Sequence, residues 1–172
     1  MKSQKLKKAC LIVAGVALAL VFAIRLMEQR HWLSRLPSGL NVTTILYVAE
    51  ESWGFGPGGN ETGVVLYELP ENTVRQLKER GIDSLYGDAG WSSTPMERSG
   101  KWFKTFDGDL LAAPSLDNFL DQYGFGIPVD PAITKSINKA LAKPGSYFFA
   151  YTRTGVVILM PSEHRVAYVY AG

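Results

Sequence analysis

The side chains able to do acid–base or nucleophilic chemistry in this chain are few and scattered. Its only histidines are His31 and His164, and its only cysteine is Cys10. His164 sits in a Pro-Ser-Glu-His run between two apolar stretches, which is the composition of an exposed turn. A hydrolytic constellation would need it to meet a distant serine or aspartate, and no G-x-S-x-G elbow supplies the serine. Zinc usually takes three or four nitrogen or sulfur ligands, more than a lone histidine without thiols can furnish. Asp107-Gly108-Asp109 opens like a calcium loop but lacks the bidentate acid at the far end. Asp117 and Asp121 share the wet face of a helix start, where the helix dipole favours carboxylates. No catalytic residue, metal site or cofactor is therefore assigned.

The run Gly54-Phe55-Gly56-Pro57-Gly58-Gly59 spells G-x-G-x-x-G after a strand-like segment. A pyrophosphate site needs a helix next, because helix N-terminal amides hold the phosphates. The next segment, Thr62 to Leu69 (TGVVLYEL), reads as a strand instead, and Pro57 removes one amide. The glycine run is therefore a hairpin tip that displays Trp53 and Phe55. Trp91, Trp102 and Phe103 lie in other irregular, glycine-bearing segments. These five rings are the candidate partner-binding residues, since large aromatics on loops suit recognition. Covering an open sheet face is the competing role for the same rings. Lys135, Lys139 and Lys143 recur every four residues and read as the polar face of a helix. Asn41-Val42-Thr43 and Asn60-Glu61-Thr62 are sequons, meaningful only in a host that glycosylates exported chains.

The elements that position these residues begin with the N-terminus. Ala9 to Ile24 (ACLIVAGVALALVFAI) carries no charge and is preceded by Lys2, Lys5, Lys7 and Lys8. About 16 residues at 1.5 Å each cover ~24 Å, and Leu6, Leu26 and Met27 extend the run towards a ~30 Å hydrocarbon core. The preceding lysines predict a cytoplasmic N-terminus and an extracytoplasmic remainder. A cleaved signal peptide is the alternative, with small residues at Ala17-Leu18-Ala19 and Val21-Phe22-Ala23. Both lie inside the apolar run with no polar region before the cut, so a retained anchor is preferred. Cys10 stands at the start of the run, not after it as a lipoprotein signal requires.

Residues 1–30 are thus read as cytoplasmic N-terminus and transmembrane anchor, 31–40 as linker, and 41–172 as one extracytoplasmic domain. The chain is 47% hydrophobic with mixed charges and a net charge of +2, an ordinary composition for a folded domain. Without the leading lysines the remainder is slightly acidic, which excludes the basic footprint of a nucleic-acid binder. Val42 to Ala49 and Thr62 to Leu69 predict a hairpin, and Pro70 to Arg80 predicts a helix closed by Gly81. Trp102 to Phe106 is a weaker strand candidate. Ser115 caps a helix carrying Leu116, Phe119, Leu120 and Tyr123, and Asp130-Pro131 starts another with Ile133, Ile137, Ala140 and Leu141 inward. Ser146 to Arg153, Gly155 to Met160 and Arg165 to Tyr170 form a three-strand meander, with GVVILM central because it is apolar on both faces. The expected fold class is α+β: an N-terminal transmembrane helix, then a mainly antiparallel sheet with about three helices packed on one face. The functional expectation is a membrane-anchored module that binds a protein or envelope component. A small envelope hydrolase using His164 with a serine or aspartate is the alternative.

Overall fold

The computed structural model describes residues 2–52, 61–83, 90–96, 115–121, 126–151 and 155–171. The chain divides into two units, Met1–Arg35 and Leu36–Gly172.

The first unit is one helix, α1 (Lys2–Leu33). From Cys10 to Leu33 it is long and apolar enough to cross a membrane. Leu11, Leu18 and Phe22 are 72%, 71% and 67% exposed, so the apolar surface has no buried side. A core helix of a soluble protein would bury such a stripe. The helix ends where the Ser34 hydroxyl donates to the His31 carbonyl at 2.7 Å. The rings of His31 and Trp32 meet edge-on there, 5.1 Å apart.

The second unit is built on a six-stranded sheet in the order β1-β2-β6-β5-β4-β3, every neighbouring pair antiparallel. Its strands are β1 (Ile45–Ser52), β2 (Glu61–Glu68), β3 (Ser92–Ser93), β4 (Tyr147–Tyr151), β5 (Gly155–Met160) and β6 (Arg165–Ala171). Three α-helices accompany them among the described residues: α2 (Glu71–Arg80), α3 (Leu116–Leu120) and α4 (Pro131–Ala142). The α+β reading holds, with the hairpin, the meander and the antiparallel sheet all in place. The weaker strand candidate at 102–106 lies outside the described residues, as do Tyr123 and Gly124.

Helices α3 and α4 start at side-chain caps. Ser115 accepts the Asn118 N–H at 3.3 Å, and the Asp130 carboxylate accepts the Ala132 N–H at 2.7 Å. Pro70 precedes α2, and Gly81 ends it at φ 72°, a left-handed position that glycine adopts without steric cost. Helices α3 and α4 bury Leu116, Phe119, Leu120, Ile137, Ala140 and Leu141 against one sheet face. That face presents Val64 and Leu66 of β2, Val169 and Ala167 of β6, and Val156, Ile158 and Met160 of β5. The Asn138 side chain accepts the Leu116 N–H at 2.6 Å and so fixes α3 on α4.

The opposite face is buried over the central strands as well. Val65, Tyr67, Val157, Leu159 and Val166 have no exposed surface. All six residues of β5 are buried, which is why GVVILM carries no polar alternation. The stretch 31–40 read as a linker is divided between the two units. Helix α1 runs on to Leu33, while Leu36 and Leu40 are buried in the second unit. The Thr73 hydroxyl donates to the Leu40 carbonyl at 3.3 Å, pinning that turn beside α2. Pro37 is the first residue able to stop α1 sterically, and two leucines are better buried than left in water.

Candidate functional site

Strand β1 forms one edge of the sheet, bonded to β2 along one side. Its alternation puts Ile45, Tyr47, Ala49 and Glu51 half-buried and Leu46, Val48, Glu50 and Ser52 exposed. Leu46 is 48% and Val48 42% exposed, although Val65, directly across from Val48, is fully buried. They are the two large apolar side chains exposed in this unit among the described residues. A register shift between Ile45 and Tyr47 bulges the strand at its start. Tyr47 turns inward, where its hydroxyl accepts the Asp130 N–H at 3.2 Å.

Glu50 lies at the far end of the same edge, and its carboxylate accepts the hydroxyl of Tyr170. Gly63 stands between them in the register, Glu50↔Gly63↔Tyr170. The Tyr170 ring lies flat across Gly63, where any added Cβ would collide with it. Tyr168 covers Gly155 in the same way, its ring 2.9 Å from where a Cβ would sit, and stacks on Tyr170 at 5.1 Å and 19°. Burial first, then the hydrogen bond to Glu50, raises the Tyr170 pKa above the ordinary tyrosine value. The phenol is a fixed hydrogen-bond donor at neutral pH, not a base.

His164 stands at the opposite end of β6, at φ 54° and ψ 41°. Its Nδ1 is 3.0 Å from the Glu71 carboxylate, and its carbonyl accepts the Leu69 N–H at 2.8 Å. A carboxylate on Nδ1 orients Nε2 as a base, which is half of a hydrolytic relay. The Ser136 hydroxyl donates to Glu163, which also faces Arg165 at 3.8 Å. The Glu71 and Leu69 interactions of His164 tie the turn before β6 to the start of α2. Among the described residues no three His, Cys, Asp or Glu side chains converge as a metal site would.

Of the five candidate rings, Trp91 is described. It is half-buried, its ring tilted on Phe149 at 5.5 Å, and it leads into β3. Trp53, Phe55, Trp102 and Phe103 lie outside the described residues, as do the glycine run 54–59 and Asp107 to Asp109. Ser52 ends the β1 edge strand, whereas Trp91 leads into the β3 edge strand. Five strand spacings, about 24 Å, separate those edges. Ser52 and Trp91 therefore belong to opposite edges of the sheet. Asp117, Asp121, Lys135, Lys139 and Lys143 are all exposed. Leu46 and Val48 went unmarked in the sequence because strand order is a non-local property. The acidic pair Glu50-Glu51 was the available signal, since charges commonly guard sheet edges. No protein-family model, curated protein or solved structure matches this chain.

Proposed function

We propose that the protein is a membrane-anchored interaction module. In this reading α1 is retained as a single span, its N-terminus cytoplasmic. The globular unit is held on the extracytoplasmic side to engage a protein or another envelope component. The observation that carries the reading is the β1 edge, where Leu46 and Val48 stay exposed beside fully buried neighbours. Apolar groups grouped at an open edge mark contact surfaces, because water solvates them poorly and an incoming chain can cover them. In sequence, Trp53 comes directly after Ser52, the last residue of β1, and Phe55 two residues later. The lysines ahead of the apolar run Ala9 to Ile24 and the absence of a polar region before either small-residue site favour an anchor over a cleaved signal. The Glu71–His164 pair is the observation that favours the hydrolase reading, in which Nε2 would serve as base.

Crosslinking and capture with the full chain in native membranes tests the proposal. Leu46→Lys with Val48→Lys, and separately Trp53→Ala, should each weaken capture of the partner tenfold or more, roughly 1–3 kcal/mol, with melting unchanged. His164→Ala should leave capture intact. A hydrolytic activity abolished by His164→Ala, and indifferent to the edge and loop variants, would replace the binding module with the enzyme.

A further inference from the structure

We propose that the C-terminal turns of α1 carry an arginine collar that binds the headgroup phosphates of anionic phospholipids in the extracytoplasmic leaflet. The inference rests on the retained-anchor reading above and names the lipid met at the far end of that span. The cations on the two sides of the apolar run Ala9 to Ile24 differ in kind. Lys2, Lys5, Lys7 and Lys8 precede it, whereas Arg25, Arg30 and Arg35 follow it, and the next lysine in the chain is Lys78. Cations that merely set orientation can be of either type, and they are depleted on the translocated side. Three arginines placed there run against that depletion. The helix dipole draws cations to this end as well, but it does not choose arginine over lysine. Phosphate does: the guanidinium fork meets it through two parallel hydrogen bonds, where an ammonium is a point charge.

Helix geometry sets the depth of the collar. Ala9 to Met27 spans 19 residues, about 28 Å at 1.5 Å each, which fills a ~30 Å hydrocarbon core. The Arg25 guanidinium meets the Glu28 carboxylate at 3.3 Å, towards the outer side of that boundary. Arg30 stands about 4.5 Å beyond Met27, within the headgroup layer. Arg35 follows the end of α1, and its Nη2 reaches back to 3.4 Å from the His31 Nε2. At 3.6 residues per turn, Arg30 lies about 140° and His31 about 240° round the helix from Arg25. The three guanidiniums are thus spread round the helix at the level of the phosphates. Beyond Glu28 the next carboxylate in the chain is Glu50, so the collar keeps a surplus of positive charge. A headgroup with net negative charge balances that surplus, whereas a zwitterionic one brings its own cation.

The full chain reconstituted in phosphatidylcholine vesicles tests the collar, with spin-labelled phosphatidylglycerol or spin-labelled phosphatidylcholine as the probe. Electron paramagnetic resonance reads the fraction of labelled lipid held at the protein. Wild type should hold the glycerol lipid several-fold over the choline lipid. Arg25→Gln, Arg30→Gln and Arg35→Gln together should bring that ratio near one, with the fold checked by circular dichroism. Glutamine at the four leading lysines should leave most of the preference. Lysine at the three arginine positions should lose at least half of it, since the charge stays and the fork goes. A ratio unmoved by the arginine changes, a ratio lost only with the leading lysines, or lysine replacements equal to wild type each overturns the collar. Inorganic phosphate at matched ionic strength should not displace the labelled lipid, and displacement would overturn the lipid assignment in favour of a free anion. Carbonate washing of the same vesicles keeps the two readings apart. A chain that washes off ends the anchor reading and the collar with it, while a chain that stays without lipid preference ends the collar alone.

Discussion

Tyr170 shows how much one side chain can carry in this fold. Its ring takes the space that a side chain at position 63 would fill, and its hydroxyl crosses β2 to reach Glu50 on the edge strand. Glycine inside a strand normally weakens it, and an aromatic laid over the gap restores the lost contact. Tyr168 repeats the arrangement over Gly155. The phenol of Tyr170 is held protonated above its ordinary pKa of about 10, first by burial and then by Glu50. A tyrosine whose pKa is raised by folding contributes stability in full below the unfolded value. That contribution is lost as pH climbs above about 10. Tyr170→Phe should cost about 1 kcal/mol at pH 7 through the lost hydrogen bond. The variant should also lose stability less steeply than wild type between pH 9 and 11. Urea midpoints measured across that range check the sign, and parallel slopes would show that the phenol does not couple to folding.

At the scale of the element, β5 is the severest test of the sheet. It lies between β6 and β4, and Ile158 packs into the core under α3 and α4 without exposed surface. Ile158→Asp should leave no folded population, because an unpaired buried charge costs several kcal/mol against a total stability of roughly 5–15. Lys139→Ala, on the exposed face of α4, should shift stability by about half a kcal/mol. Thermal unfolding followed by circular dichroism separates the two, and equal melting temperatures would contradict the burial pattern. The elements were legible in the sequence wherever a cap or a period marked them. Ser115, Asp130-Pro131, Gly81 and the run GVVILM are local signals, and each stands where the structure has a helix start, a helix end or a central strand. What stayed illegible was relational. Nothing near Ile45 in sequence says that β1 lies at an edge, or that Gly63 and Tyr170, more than a hundred residues apart, share one space. The turn histidine was expected exposed and is partly so, but its pairing with Glu71 depends on how α2 is hung beside β6.

The whole molecule joins a bare apolar helix to a sheet domain, and the proposed orientation gives each a separate solvent. A reporter fused after Gly172 should be active only when placed outside the cytoplasm, and the chain should stay with membranes through carbonate washing. N-terminal sequencing that found a soluble form starting near Leu20 or Ile24 would establish the cleaved signal instead. The order of strands carries one more consequence, this time for the timing of folding. Strand β6 follows the other five described strands in sequence, yet it sits between β2 and β5 near the middle of the sheet. Until Arg165–Ala171 has been synthesised, the β1–β2 hairpin and the β5–β4–β3 group have no strand to join them. The domain therefore closes late, through contacts between residues far apart in sequence, which makes folding slow and leaves two strand edges open in the interim. A nascent chain of this design holds two separate strand groups until β6 arrives to bridge them, and only then can the sheet close into one body.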